Sequence, residues 1–383
     1  MTKTVSAREA ADRLGVELAT VYAYASRGVL TRRPGPDGRS SRYDRDEVEA
    51  LARRSRPRSA RRRTGGVDVV IGTTVSEIGD GWVRYRGHDL LALVDRHSFE
   101  EVCGLLWTGR LEAPTVASTR RRAAASAAAR ASRALPAGAT VTARLASGAA
   151  ALSGTTDGEA PEVRGALVVD ALLAALPAIG TDPGPDASAA ARLWARTSTT
   201  EPTSARLGAL DAALVLLAEH ELATSTLAVR VAASTGAGPA ECVLAGLGTV
   251  SGPLHGRAAV RVHERLLGRR GAGRTEAIAE GIGHSVHVGG DPRFAPLIER
   301  VRAVATRPQR RTIDADLASL PRGARPNVDA ALGALGYVAD AEPGATEAIF
   351  AIARTAGWLA HAYEEADEPP LRFRGRTLYR GPR

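Results

Sequence analysis

The chain has 383 residues, enough for more than one domain and a large buried core. Hydrophobic residues make up 44 % of it but aromatics only 4 %, so the core must be built mainly from Ala, Leu and Val, a composition that favours helices. No stretch offers about 18 uninterrupted apolar residues and no apolar leader opens the chain, so a helical membrane protein is excluded and a soluble cytoplasmic protein is expected.

Charge is unevenly divided. Residues 1–64 hold 16 Lys/Arg against 8 Asp/Glu, a net of +8, and the remaining residues hold 35 against 34, a net of +1. The basic end suits a polyanionic partner, with nucleic acid the leading candidate. Cys103 and Cys242 are the only cysteines, and both stand in apolar helical text. They read as buried thiols rather than a disulfide framework or a metal site.

Residues 6–54 form a self-contained pattern. Ser6-Ala7-Arg8-Glu9 is a capping-box signature opening a short helix that ends at Leu14-Gly15. A second helix is predicted from Leu18 to Ser26, with Gly28 placed to stop it. Two short helices joined across Gly15-Val16-Glu17 make a helix-turn-helix. Leu30 to Arg33 and Arg39 to Tyr43, separated by a Pro/Gly-rich turn, read as a hairpin or wing. Asp44 or Asp46 then begins a third helix through Glu47, Val48 and Leu51.

The text SAREAADRLGVELATVYAYASRGVL resembles the winged helix-turn-helix of the MerR and excisionase group. The resemblance implies that the second helix, with Thr20, Tyr22, Tyr24 and Arg27 near its face, enters a DNA major groove. Arg39 and Arg42 of the wing would meet phosphate or the minor groove. The residues also admit a helical module used for packing or dimer contacts, with Tyr22 or Tyr24 in its core. The basic run from Arg53 to Gly66 lacks hydrophobic periodicity and reads as a linker, either a solvated hinge or a further phosphate contact.

From Val67 to Gly81 the β-branched, Gly-punctuated text predicts a short hairpin. Beyond Phe99 the chain reads as helix almost to its end. Ala123 to Ala134 is helical by composition, although its pattern does not show which face is buried. Clusters of Pro, Gly and Asp near 154–161 and 180–186 mark loops. The expected body is all-α.

Polar residues gather in five places against this apolar background. They are Glu219-His220-Glu221 with Thr224-Ser225-Thr226, Ser251 to Gly256 around His255, Gly281-Ile282-Gly283-His284 leading to Asp291-Pro292-Arg293, Pro326-Asn327-Val328-Asp329, and the pair Arg354 and Arg374. Singly each is weak, since a histidine at a turn or an Asp after Pro-Asn often serves structure alone. Together, three His, one Asp and several Arg suit proton abstraction beside a carbonyl, with a polycarboxylate held by guanidinium forks.

The motifs AEHELATST, SGPLHG, GIGH with DPR, RPNVD, and ARTAGW with RFRGRTLY resemble, in order, the signature set of citrate synthases, 2-methylcitrate synthases included. RYRGHDL and SFEEVCGLLWTGRL resemble the N-terminal portion of that family. The resemblance implies an all-α fold behind the winged helix-turn-helix of residues 1–54 and the linker 55–66. A large domain of residues 67–256 and 336–383 would carry a small mobile domain of residues 257–335, in an obligate homodimer. Asp329 would take a proton from acetyl-CoA, His255 would stabilise the enol, and His284 would polarise the oxaloacetate carbonyl. His220, Arg293 and Arg354 would bind oxaloacetate, with Arg374 reaching in from the partner subunit, and neither metal nor cofactor would be needed.

The departures lie on the acyl-CoA side. Gly256-Arg257-Ala258-Ala259-Val260 replaces the family's Gly-Gly-Ala-Asn-Glu, and no positive charge stands between His284 and Asp291. Ala330-Ala331-Leu332 replaces Phe-Tyr-Ser, Gly375 replaces a Pro, and Ala223 replaces an Asn. The sequence therefore supports two functions that can coexist. One is a synthase making citrate, or 2-methylcitrate from propionyl-CoA. The other is a DNA-binding regulator whose synthase-like body senses a carboxylate or CoA ester.

Overall fold

The chain folds into two compact units, Met1–Val69 and Val70–Arg383, because contacts cluster within each of them. The computed structural model describes residues 4–14, 18–26, 29–35, 40–54, 69–156, 158–252, 255–268, 281–284, 286–375 and 381. The segment 55–66 falls outside these residues, while Arg53 and Arg54, at the start of the expected basic run, belong to a helix.

In the first unit, β1 (Thr4–Ser6) leads into α1 (Ala7–Leu14) and α2 (Leu18–Ser26). The wing, β2 (Arg32–Pro34) and β3 (Ser41–Asp44), precedes α3 (Arg45–Arg54). The Ser6–Glu9 capping box forms as the sequence implies: the Glu9 amide donates to Ser6 Oγ at 3.2 Å, and the Ser6 amide donates to Glu9 Oε2 at 2.8 Å. Asp44 caps α3 by accepting from the Asp46 and Glu47 amides. β1 is an element that the sequence reading lacks; it pairs antiparallel with β3 to give the sheet order β1-β3-β2. Thr31 donates from its amide and hydroxyl to the Glu47 carboxylate at 2.7 and 2.9 Å, fastening the wing to α3. Val5, Ala10, Leu14, Val21, Tyr24, Leu30, Tyr43 and Val48 make the core.

The second unit opens with the antiparallel sheet β4 (Ser76–Gly79), β5 (Trp82–Tyr85) and β6 (His88–Asp89). The expected hairpin is present but shifted, because its turn lies at Asp80-Gly81, where Gly81 has φ 79°, and its second strand runs on to Tyr85. Helices follow: α4 (Leu90–Arg96), α5 (Phe99–Thr108), α6 (Ser118–Arg133), α7 (Val141–Ala150), α8 (Pro161–Ala175), α9 (Ala189–Thr197), α10 (Ser204–Leu217), α11 (Thr224–Ala233) and α12 (Pro239–Val250). The last described helices are α13 (Ala258–Leu266), α14 (Phe294–Val304), α15 (Arg307–Ala318), α16 (Val328–Val338) and α17 (Gly344–Ala366). The face of α6 left open by its sequence is settled by packing, with Ala124, Ala128 and Ser132 buried at helical spacing. Cys103 and Cys242 are buried free thiols, as expected.

Helix α17 is the axis of this body, buried from Ala345 to Ala362. A fully buried side chain such as Leu359 contributes roughly 1.5–3 kcal/mol by leaving water. Two long-range bonds hold α17: the Trp107 indole of α5 donates to the Ala356 carbonyl, and the Gly357 amide donates to the Ala218 carbonyl in the loop that follows α10. A Cβ at position 357 would collide with the Glu219 carboxylate and come within 2.6 Å of the Ala218 carbonyl. This close approach fixes the loop that carries His220.

Candidate active site

Five separate segments bring their polar residues to one place. The loop after α10 presents His220, backed by β4 and β5. Tyr85 Oη donates to the Glu219 carbonyl at 3.0 Å and accepts from its amide at 3.2 Å, while the Ile78 amide donates to Glu221 Oε1. Residues 281–284 pair with 325–327 through the Ile282–Pro326 bridge and the Gly283 and Asn327 amides. That pairing sets the His284 loop beside the first turn of α16, where Asn327 caps the helix and Asp329 is its second residue. Asp291 completes the junction by accepting from the Val328 amide at 3.0 Å.

His220, His284 and a third imidazole, His287, form a cluster. The His220 and His287 Nε2 atoms are 3.2 Å apart, and the His284 ring centroid lies 4.8 Å from that of His220 and 4.9 Å from that of His287. His284 Nδ1 accepts from the Val286 and His287 amides at 3.1 and 3.4 Å. A neutral ring whose Nδ1 accepts carries its proton on Nε2, so His284 is set to donate from that atom. Burial first, then Arg293, Arg354 and the two other imidazoles, hold His220 well below the usual imidazole range and keep it neutral.

The charged groups are mutually adjusted. Arg293 is buried and grips Asp291 through Nε and Nη2, both at 2.9 Å. Burial would raise Asp291, but Arg293 outweighs it and holds this carboxyl at about 2. Asp329 goes the other way. Burial pushes it up to about 6, and Asp291 adds to the rise, while Arg293 and Arg354 pull against it. Arg354 is buried on α17, anchored by Nε to the Leu217 carbonyl at 2.8 Å, with its guanidinium 4.8 Å from the Phe350 ring centre.

His255 also meets Phe350, edge-on, 6.2 Å between centroids. Its Nε2 is 3.0 Å from Ser225 Oγ, which also accepts from the Trp358 indole at 3.3 Å. With the serine hydroxyl donating to Nε2, the His255 proton stands on Nδ1. Burial and then Arg354 lower the His255 pKa, keeping the ring neutral.

The structure thus gathers His220, His255, His284, Arg293, Asp329 and Arg354, as the sequence implied. Arg374 is exposed on the C-terminal segment and makes none of these contacts. Two residues were missed in the sequence. Ser225 was noticed only as part of a polar run, and its role depends on Trp358, far along the chain. His287 lies three residues past His284, where the spacing alone carries no signal. A buried chain behind the site was also unforeseen: Ser76 and His361 both bond Glu219 Oε1, at 2.9 and 3.1 Å, and Arg230 joins His361 Nδ1 to Glu364 and Glu365. A separate cleft of about 550 Å³, lined in part by Arg164, Glu241 and Tyr363, contains none of the site residues.

On the head, Thr20 is half-buried and Tyr22 is 46 % exposed. Tyr24 is only 8 % exposed and packs in the core, so it does not belong to the outer face on which it was placed. The cause is helical spacing: Tyr24 stands three residues from the fully buried Val21, on the inner side of α2. Arg42 is half-buried on β3, and Arg27 and Arg39 lie outside the described residues.

Comparison with known proteins agrees with this geometry. The profile described as "Citrate synthase, C-terminal domain" matches residues 66–376, and one described as "Helix-turn-helix domain" matches residues 4–56. "Citrate synthase 2" of Bacillus subtilis is 29 % identical over 365 residues, which cover 83 % of this chain and 96 % of that one. "Citrate synthase" of Acidithiobacillus ferridurans is 32 % identical over 222 residues, 52 % of this chain, and the match spans only 57 % of that protein's length. Among solved structures, the citrate synthase of Thermoplasma acidophilum, in ternary complex with carboxymethyl coenzyme A and oxaloacetate, superposes with a TM-score of 0.64 at 23 % identity, covering 82 % of this chain and 94 % of that one. That of Pyrobaculum aerophilum gives 0.63 at 24 % identity, covering 82 % and 91 %. With the family profile matching most of its length, the chain belongs to the citrate synthase family and carries a helix-turn-helix domain at its N-terminus.

Proposed function

We propose that the body catalyses a Claisen condensation of acetyl-CoA with oxaloacetate, giving citrate and CoA. The observation that carries this reading is the convergence of Asp329, its pKa raised to about 6, on a site that also holds buried Arg293, Arg354 and His220, with His255 and His284 half-buried beside them. Asp329 abstracts a methyl proton from the thioester. A carboxylate alone is too weak for that step, so His255 Nδ1–H donates to the thioester oxygen as it gains enolate character. The enol carbon attacks the oxaloacetate carbonyl, whose oxygen receives a hydrogen bond from His284 Nε2–H. Hydrolysis of the citryl thioester then releases CoA. Arg354, anchored through Nε, presents the outer edge of its fork to a carboxylate, and Arg293 and His220 bind alongside it.

The condensation as written requires no metal. His220, His284 and His287 are close enough to be considered as a ligand set, with donor atoms within 4.8 Å. The His284 Nδ1 lone pair, however, is already directed at two backbone amides, and its Nε2 carries a proton, which suits donation to a carbonyl better than coordination.

A homodimer is part of the proposal, with residues 257–335 acting as the small mobile domain and Arg374 completing the partner's oxaloacetate site. An Arg374→Leu subunit mixed with an Asp329→Asn subunit would then recover part of the activity through one intact composite site. Mixed dimers that stay inactive after verified subunit exchange would remove Arg374 from the site. Propionyl-CoA is the competing acyl donor, because one methylene changes discrimination by only about 1–3 kcal/mol. A CoA-release assay with acetyl- and propionyl-CoA, run with and without oxaloacetate, tests the reaction and the donor together. Oxaloacetate-independent release, or none with either thioester, would reject the synthase reading and leave a body that senses these ligands.

The head supports a second reading, DNA binding. Its fold is a winged helix-turn-helix, and residues 1–64 hold a net charge of +8. The two readings describe different units of one cytoplasmic protein.

A further inference from the structure

The outer face of α2 is apolar and uncharged. Its nine residues, LATVYAYAS, contain no acidic or basic side chain. Leu18 is 41 % exposed and Tyr22, one turn later, is 46 % exposed. Val29, after the helix, is 49 % exposed. Val21, Tyr24 and Leu30 fill the inner side, so the outer residues are surplus to the core of the head. Arg8 and Arg13 on α1, and Arg32 and Arg33 on β2, are also exposed on the same unit.

Exposed hydrocarbon on so small a unit, which also exposes several arginines, marks a surface that is covered in use. The net charge of +8 in residues 1–64 selects a polyanion as the occupant. The second helix of a helix-turn-helix places its N-terminal residues against base edges in the major groove. There, guanine is read by Arg or Lys, adenine by Asn or Gln, and cytosine by Asp or Glu, and α2 has none of these. The one apolar feature of a major-groove edge is the C5 methyl of thymine. Arg27 lies outside the described residues.

We infer that α2 reads duplex DNA through thymine methyl groups, which Leu18 and Tyr22 cover while exposed arginines of the same unit hold phosphates. This rests on the DNA-binding reading of the head. The test uses the full chain. A site is first selected from a random duplex library, and each thymine in it is then replaced by deoxyuridine, which removes only the methyl group. At fixed salt, loss of a contacted methyl is expected to weaken binding about fourfold. Leu18→Ser with Tyr22→Ser is expected to abolish sequence preference while leaving salt-sensitive binding to any duplex. Uridine-substituted sites that bind as tightly as the original, or selected sites whose preference resides in guanines, would overturn the inference and leave DNA binding standing. Absence of duplex binding at every sequence and at low salt would overturn both. A shift of the double variant to a smaller oligomer, with DNA preference unchanged, would reassign the stripe to contact between copies of the chain.

Discussion

The Nε2 atom of His287 lies 3.2 Å from that of His220, so a ring that the family signature does not require is in hydrogen-bond contact with a proposed oxaloacetate ligand. The His287 backbone amide also donates to His284 Nδ1. One residue therefore influences which nitrogen carries the proton in both imidazoles. We expect His287→Phe, which keeps an aromatic ring but removes its nitrogens, to raise KM for oxaloacetate and lower kcat/KM about tenfold, the value of one buried hydrogen bond. His287→Gln should restore part of the loss, and KM for acyl-CoA should hardly change. A Phe variant with wild-type KM for oxaloacetate would show that the ring only fills space.

Asp329 is the proposed base, and Asp329→Asn should lower CoA release by a factor of about 10² to 10⁴ while the protein stays folded. Its pKa is raised to about 6, so kcat/KM should fall as pH drops through 6 and the base becomes protonated. The effect on stability has the opposite sign. A carboxyl whose folded pKa exceeds its unfolded value favours the folded state when protonated, and this advantage disappears as pH rises through 6. Asp329→Asn should therefore raise Tm relative to wild type at pH 8 more than at pH 5. An equal shift at both pH values would show that Asp329 is not a buried charge in the free protein.

Gly357 is required by a contact between two distant segments. Its missing Cβ makes room for the Glu219 carboxylate and the Ala218 carbonyl, immediately before His220. Ala is ordinarily better than Gly in a helix by about 1 kcal/mol. Here Gly357→Ala should instead destabilise the protein by about 1–3 kcal/mol, the usual cost of overpacking, and should weaken oxaloacetate binding as the His220 loop shifts. Chemical denaturation and oxaloacetate titration measure the two effects. A stabilised Ala variant would mean that the loop adapts freely.

How much of this was legible depended on how local each signal is. The Ser6–Glu9 capping box and the Leu18–Ser26 helix follow from neighbouring residues, and both are present. The hairpin was placed too early because Val69, Val70 and Ile71 carry β propensity without a pairing partner. The pairing begins only at Ser76, opposite Tyr85. A tyrosine suits either side of a helix, so the sequence leaves Tyr24 open between an outer face and the core, and its place in the cluster with Val21 and Tyr43 decides. In the site, motif order located Asp329, His284 and Arg354. The Ser225 link between Trp358 and His255 joins residues more than a hundred positions apart, and no spacing rule could anticipate it.

The head and body should separate cleanly by function. Every proposed catalytic side chain lies at or beyond His220, and the first hydrogen bonds joining the start of the body to α17 come from Thr73 and Thr74, to Glu364. Deleting residues 1–64 should therefore leave CoA release within a few-fold of the full chain. DNA affinity should vanish with the same deletion. In a homodimer two heads on basic tethers would favour a two-part site with tolerant spacing. If about six phosphates are contacted, the slope of log K against log salt for the full chain should be roughly −5. Fluorescence anisotropy over a salt series measures that slope. A truncated protein that keeps full DNA affinity would move the binding surface to the body. Loss of CoA release on truncation would show instead that the head is a structural part of the synthase.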